Sequence, residues 1–354
     1  MHFEVESTNL KYNIDLERRF SIILGNSGTG KTTLDDLIIS YTNNDSALDV
    51  KIKSDLDIIS FSNMGKNVPL LIKDLHDKII ILDEYYLFKT SVFAKAYKTY
   101  AVKNNLWFVL MTRETLSRAQ KSQKDVNTLG MLSYSVFSIY KLVNENGVIK
   151  NAIYYDYPRY DEKLKLDCIL VEDTTSGYEF FKAFFKNSKV FSTKSGKSDI
   201  CKTLIDLTNK GYRNILVFVD LASFGYHIEE LDAVFKYRKD ITILYVDKYE
   251  CFEYFLLNTN LVNHLDIVKK VLKEPIKYAN QCTSWEVYFE NLLVKVTKNK
   301  FYHQGHGGNL NMCFINNCDD CNKYKREKCD KVLLGNKFKE LLKGTKFEIL
   351  LNFM

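Results

Sequence analysis

Residues 20–33 read Phe20-Ser21-Ile22-Ile23-Leu24-Gly25-Asn26-Ser27-Gly28-Thr29-Gly30-Lys31-Thr32-Thr33, and they decide the fold. The first five have the apolar make-up of a strand buried on both faces of a parallel sheet. The next eight fit Gly-x-x-x-x-Gly-Lys-Thr, and the residues beyond repeat apolar positions at helical spacing. Glycines let the backbone curl until several N–H groups point at one anion, and a following helix adds its positive N-terminal end. Lys31 is expected to set its charge on the β- and γ-phosphates, and the Thr32 hydroxyl to ligate Mg²⁺. Gly25, Asn26, Ser27, Gly28, Thr29, Gly30 and Thr33 complete the expected cradle. A Gly-rich turn can match the pattern by chance; a strand entering and a helix leaving are the context that separates the two readings.

Working outward, HFEVE and KYNIDL read as two short strands before the loop. DVKIKS and LDIISFS read as two more after the helix, and Pro69–Asp77 as helical. KIIILDE is an apolar, β-branched run ending in Asp83 and Glu84; a helix over Ser91–Lys103 leads to LWFVLMT at Leu106–Thr112. Strands alternating with helices predict an α/β sheet. Carboxylates at the end of a parallel strand stand where ligands collect in such sheets. Asp83 is expected to hold Mg²⁺ through water and Glu84 to polarise the attacking water. Thr112 is the polar end of its strand. Arg113 or Arg118 either stabilises transition-state charge or sits in a surface ion pair.

With these motifs in place, residues 1–156 resemble P-loop NTPases of the additional-strand class, in which a sensor strand lies beside the metal-binding strand and its polar end, Thr112 by this resemblance, senses the γ-phosphate. The resemblance implies a parallel-sheet domain that binds and hydrolyses ATP with Mg²⁺. The two strands before the loop suggest an ABC- or OLD-like start, yet no Leu-Ser-Gly-Gly-Gln-like signature occurs between Thr32 and Asp83.

Beyond Arg113 the pattern changes. SVFSIYKLV and VIKNAIYYDY flank Asn144-Glu145-Asn146-Gly147, a hairpin signal because Asn-Gly accepts positive φ. Pro158 and the charged stretch after it make a linker. A second α/β pattern begins at Cys168-Ile169-Leu170-Val171-Glu172 and continues through KVFST, NILVFVD and ITILYVD. Acids at neighbouring strand ends can hold Mg²⁺ and orient water at a phosphodiester. This order resembles the Toprim fold of topoisomerases, primases and OLD-family nucleases, over about residues 164–257. Glu172 matches the leading glutamate, Asp220 the first aspartate, and Glu253 is the candidate for a later acid. Asp173 stands where that family usually has glycine, and Asp220-Leu221-Ala222 where it has Asp-x-Asp, so Asp247 or Glu250 would have to substitute. A plain α/β domain with solvated strand ends is the alternative.

None of the eight cysteines precedes Cys168, and four crowd into Cys313, Cys318, Cys321 and Cys329. That cluster reads either as a Zn²⁺ site or as reduced thiols. Residues 322–348 carry nine lysines and arginines against four acids, which suits a phosphate backbone or a solvated helix face. The whole chain of 354 residues is only +6, too mild to identify a nucleic-acid binder by charge. No long uncharged apolar run appears and the N-terminus has no apolar stretch, so a cytoplasmic protein without a membrane span is expected.

The expected architecture is an NTPase domain over 1–160, a Toprim-like α/β domain over 161–275, and a helical, Cys-rich, basic region over 276–354. Three functional classes follow. One is an ATPase coupled to a metal-dependent nuclease acting on DNA or RNA, in phage defence or mobile-element biology. Another is a nucleic-acid motor or transfer ATPase. The last is a nucleotide-gated scaffold. Each implies a homo-oligomer or a partner protein.

Overall fold

The computed structural model describes residues 1–43, 49–61, 67–84, 90–113, 137–154, 165–174, 176–185, 189–193, 196–220, 227–238, 240, 242–245, 251–298, 302–303, 309–310 and 339–353. The chain divides into two compact units. One comprises Met1–Asp156 with Asn280–Trp285, the other Tyr157–Ala279 with Glu286–Met354. Within 276–354, residues 280–285 fall in the first unit and the others in the second.

In the first unit, β1 (His2–Glu6), β2 (Lys11–Asp15) and β3 (Phe20–Leu24) precede α1 (Lys31–Thr42). Next come β4 (Lys51–Ser54), β5 (Asp57–Ser60), the short α2 (Val68–Leu71), β6 (Lys78–Asp83), α3 (Ser91–Tyr100), β7 (Leu106–Thr112), β8 (Phe137–Glu145) and β9 (Val148–Ile153). All nine strands join one sheet in the order β4-β1-β2-β9-β8-β3-β7-β6-β5. From β8 to β5 every neighbouring pair is parallel. The sheet as a whole is mixed, which corrects the expected parallel sheet. The Asn146-Gly147 hairpin turns β9 antiparallel to β8, and β2 then joins β9 in parallel while β1 pairs antiparallel with β2 and β4.

Successive side chains of a strand point to opposite faces and both faces here are covered, so Ile22–Leu24, Ile79–Leu82 and Leu106–Met111 are apolar at every position. Ile23, Ile79, Ile81, Trp107, Val109 and Met111 share a core with Leu34, Leu37 and Ile38 of α1. On the opposite face Phe20 and Phe108 meet Phe93 and Tyr97 of α3, with ring centroids 5.4–6.1 Å apart. Two predicted helices stop early. α2 gives way to a 3₁₀ turn at Ile72–Asp74, and Asp77 has φ 50°. α3 ends at Tyr100, before Asn105 turns at φ 52°. Positive φ cannot continue a right-handed helix.

The second unit holds β10 (Cys168–Val171), α4 (Ser176–Phe184), β11 (Lys189–Ser192), α5 (Ile200–Asn209), β12 (Asn214–Phe218), α6 (His227–Tyr237) and β13 (Thr242–Tyr245). Its larger sheet has four strands, all parallel, in the order β11-β10-β12-β13. One face packs on Leu204 and Leu207 of α5, and on the other Phe218 stacks against Phe181 of α4 at 4.3 Å. Helices α7 (Phe252–Asn258), α8 (Asp266–Lys273) and α9 (Pro275–Ala279) follow. α10 (Trp285–Val296) and the two-residue strands β14 (Tyr302–His303) and β15 (Asn309–Leu310) come last. Among the described residues no helix is long and apolar enough to cross a membrane.

Candidate functional site

Parallel pairing brings three strand ends together in the first unit. β7 lies between β3 and β6, with Leu24 opposite Thr112 and Asp83 opposite Met111. Adjacent strands are about 4.8 Å apart, so the loop after β3, the carboxylates after β6 and the polar end of β7 share one edge. Two backbone bonds extend the pairing past the strands. The Gly25 amide donates to the Thr112 carbonyl at 3.2 Å, and the Glu84 amide to the Met111 carbonyl at 2.8 Å.

Residues 26–33 with Arg113 line a concavity that opens to solvent. Gly28 and Gly30 adopt φ 81° and 90°, the left-handed region that glycine enters without a Cβ penalty. Among the described residues, no acceptor takes the backbone N–H groups of residues 26–30. The Lys31 ammonium folds back on the Gly25 carbonyl at 2.5 Å, the Asn26 carbonyl at 3.0 Å and Thr29 Oγ1 at 3.1 Å. Burial lowers its pKa, while Glu84 and Asp83 work in the opposite direction.

Thr32 Oγ1 donates to Asp83 Oδ2 at 3.2 Å across a separation of 51 residues. Burial pushes the Asp83 carboxyl above the usual carboxylate range, with Asp35 adding to the rise and the Thr32 hydroxyl opposing it. Two hard oxygen donors side by side suit Mg²⁺, which takes oxygen ligands with water completing the shell.

Glu84 has φ 47°, a left-handed conformation that is costly for a residue with a Cβ. Its two carboxylate oxygens are held by the end of β7. Thr112 Oγ1 donates to Oε2 at 3.2 Å, and the Arg113 amide to Oε1 at 3.1 Å. Arg113 Nε approaches Oε1 at 3.3 Å, while its Nη1 donates to Ser27 Oγ at 3.1 Å. Arg113 thus bridges the carboxylate and the loop.

The second unit gathers acids. β10 and β12 are neighbours, so Glu172 and Asp220 follow adjacent strand ends, and the Asp220 amide donates to Glu172 Oε2 at 2.9 Å. Burial drives the Asp220 carboxyl well above the carboxylate range, and Glu172, Glu253, Glu286 and Asp173 add to it in that order. Glu253 is 8% exposed on α7. Even so, the described residues contain no group of three or more His, Cys, Asp or Glu placed to hold a metal ion. Asp173 takes a different part, accepting from the Gly177 amide at 2.7 Å and the Tyr178 amide at 2.9 Å at the start of α4.

No protein family and no curated protein matches this sequence. Among solved structures, Thermotoga maritima RuvB is similar at 11% identity, with 88% of each chain covered and a TM-score of 0.18. A superposition that loose carries no argument about fold.

Arg118, Leu221, Ala222, Asp247, Glu250, Cys313, Cys318, Cys321 and Cys329 lie outside the described residues. Three residues near the sites had escaped the sequence reading. Tyr12 donates through its hydroxyl to the Gly30 carbonyl at 2.9 Å. Nothing in the alternating pattern of β2 marks it. Asp35 is 3% exposed and presses on Asp83; an acid on the apolar face of α1, beside Leu34 and Ile38, was its signal. Glu286 bears on Asp220 from α10, which only tertiary packing brings near.

Proposed function

We propose that the first unit binds a nucleoside triphosphate, ATP by preference, together with Mg²⁺, and hydrolyses it. The observation carrying this reading is the Thr32–Asp83 hydrogen bond. It joins the helix that leaves the Gly-rich loop to the carboxylate ending a parallel strand, the pair expected of a Mg²⁺–phosphate site. The open amides of residues 26–30 suit an anion, and the strand order β3-β7-β6 agrees with the additional-strand resemblance. A phosphate oxygen would draw the Lys31 ammonium off two carbonyls and a hydroxyl, because an anionic acceptor adds the attraction of opposite charges that a neutral oxygen lacks. Thr32 and Asp83 would hold the cation, which supplies charge neutralisation at the phosphates. Glu84, released from Thr112 and Arg113, would accept the proton of the attacking water. Arg113 would face the developing phosphate charge from where it now holds Ser27.

The test is thermal unfolding with ATP·Mg²⁺. A ligand present at 100 times its Kd stabilises by about 2.7 kcal/mol, so wild type should melt several degrees higher. Lys31→Ala and Asp83→Ala should lose that shift. An equal shift in Lys31→Ala, or none in wild type, overturns the proposal.

A second reading concerns the other unit. The electrostatic coupling of Asp220 to Glu172 and Glu253 favours a Mg²⁺- or Mn²⁺-dependent nuclease of the Toprim-like kind, driven or gated by the nucleotide. Plasmid DNA and a folded RNA incubated with Mn²⁺ should be cut by wild type and not by Glu172→Ala. If both proteins are inert on both substrates, a nucleotide-gated scaffold becomes the better account.

A further inference from the structure

The end of the Gly-rich loop rests on two residues that belong to neither the loop nor its flanking strand and helix. Tyr12 of β2 and Ile149 of β9 are register partners in a parallel pair, so their side chains stand together on one face of the sheet. Tyr12 is 0% and Ile149 9% exposed. Both reach Gly30: a Cβ there would meet Tyr12 Oη at 2.9 Å and Ile149 Cδ1 at 3.8 Å. Two strands, β9 and β8, separate β2 from β3 in the sheet. The support therefore comes from accessory strands on either side of the loop in the sequence.

The contact acts on one peptide group. The Gly30 carbonyl accepts from Tyr12 Oη at 2.9 Å and from the Leu34 amide at 3.0 Å. A trans peptide is planar and its N–H points opposite to its C=O. With the carbonyl held from two sides, the Lys31 N–H is turned away from α1 toward the concavity that residues 26–33 line. First-turn amides of a helix are the donors that meet an anion. Burial also raises the Tyr12 pKa, so the phenol keeps the proton it donates.

We propose that Tyr12 and Ile149 form a seat that pre-organises the Gly30–Lys31 peptide for the phosphates of the bound nucleotide, making Tyr12 a positioning residue of the site. This rests on the nucleotide-binding reading above. Tyr12→Phe keeps the ring and removes only the hydroxyl. Calorimetric titration with ATP·Mg²⁺ and with tripolyphosphate·Mg²⁺ should give dissociation constants about five- to tenfold weaker for both probes, the usual effect of one net hydrogen bond. KM for ATP should rise with kcat unchanged, because the interaction is present before chemistry. A purely structural role would lower the melting temperature and leave both dissociation constants alone, and that outcome overturns the proposal. Should Tyr12→Phe fail to fold, Ile149→Val removes only the Cδ1 atom that the seat presents toward Gly30. It should weaken both probes about two- to threefold, and unchanged binding by folded Ile149→Val overturns the proposal equally. A wild-type protein that binds neither probe overturns the nucleotide reading and this inference together. One that binds both while Tyr12→Phe binds as tightly overturns the seat alone.

Discussion

Glu84 and Arg113 separate a structural role from a chemical one. The Arg113 side chain is 55% exposed, and exposed ion pairs contribute about 0–1 kcal/mol. Arg113→Ala should therefore leave the melting temperature of the nucleotide-free protein within about 2 °C of wild type. If the guanidinium meets transition-state charge, kcat should fall at least about tenfold, toward the larger losses seen when such arginines are removed. Glu84→Gln should keep ATP·Mg²⁺ binding while lowering kcat by about 100-fold or more, the range of a positioned general base. Single-turnover hydrolysis alongside a binding titration checks both. The sequence marked Glu84 and Arg113 as neighbours of strand ends. It did not disclose the left-handed φ of Glu84 or its capture by Thr112, since both depend on β6 and β7 being paired.

The start of α4 reassigns a residue at the scale of an element. Asp173 occupies the position after Glu172 where the Toprim pattern has glycine, and its carboxylate receives the Gly177 and Tyr178 amides. A helix begins with amides that have no partner in the helix, and an acidic side chain there both accepts from them and complements the dipole. The added Cβ contact at Gly177, 2.6 Å from Asp173 Oδ2, leaves no room for a larger residue beneath that carboxylate. Asp173→Ala should cost about 1 kcal/mol, typical of a lost helix cap, and lower the midpoint of urea unfolding without a change in m. Metal-dependent activity, if Glu172 and Asp220 carry it, should survive. The apolar runs that lead to Glu172 and Asp220 were legible in the sequence. Asp173 was visible only as a departure from the Toprim pattern, and the amides it holds became identifiable when the backbone folded back on it.

Across the second unit as a whole, burial and neighbouring acids act together against an ionised Asp220. Its carboxyl pKa is raised, chiefly by burial and then by Glu172, Glu253, Glu286 and Asp173. A raised carboxyl pKa means the folded protein binds the proton more tightly than the unfolded chain does. The stabilising contribution is complete below the unfolded value near pH 4 and is lost as pH climbs through the folded value. Asp220→Asn should accordingly raise the melting temperature of the metal-free protein at pH 7–8, by about 2–4 °C for each kcal/mol relieved, and the gain should vanish near pH 4. Thermal scans in chelator across that range check the sign.

The alternating and continuous apolar runs, the loop pattern and the Asn146-Gly147 turn sufficed, by themselves, to mark the strands β1–β13 and the helices α1 and α3. Those features act over a few residues, where backbone geometry and side-chain period set the outcome. Strand order was beyond their reach. The insertion of β7 between β3 and β6, and the parallel union of β2 with β9, depend on faces that become complementary only when the sheet assembles. From that assembly come the Thr32–Asp83 bond, the hold of β7 on Glu84 and the placing of Tyr12 beneath Gly30. Each joins residues distant in the chain through side-chain contacts a few ångströms long, and no local pattern encodes such a distance.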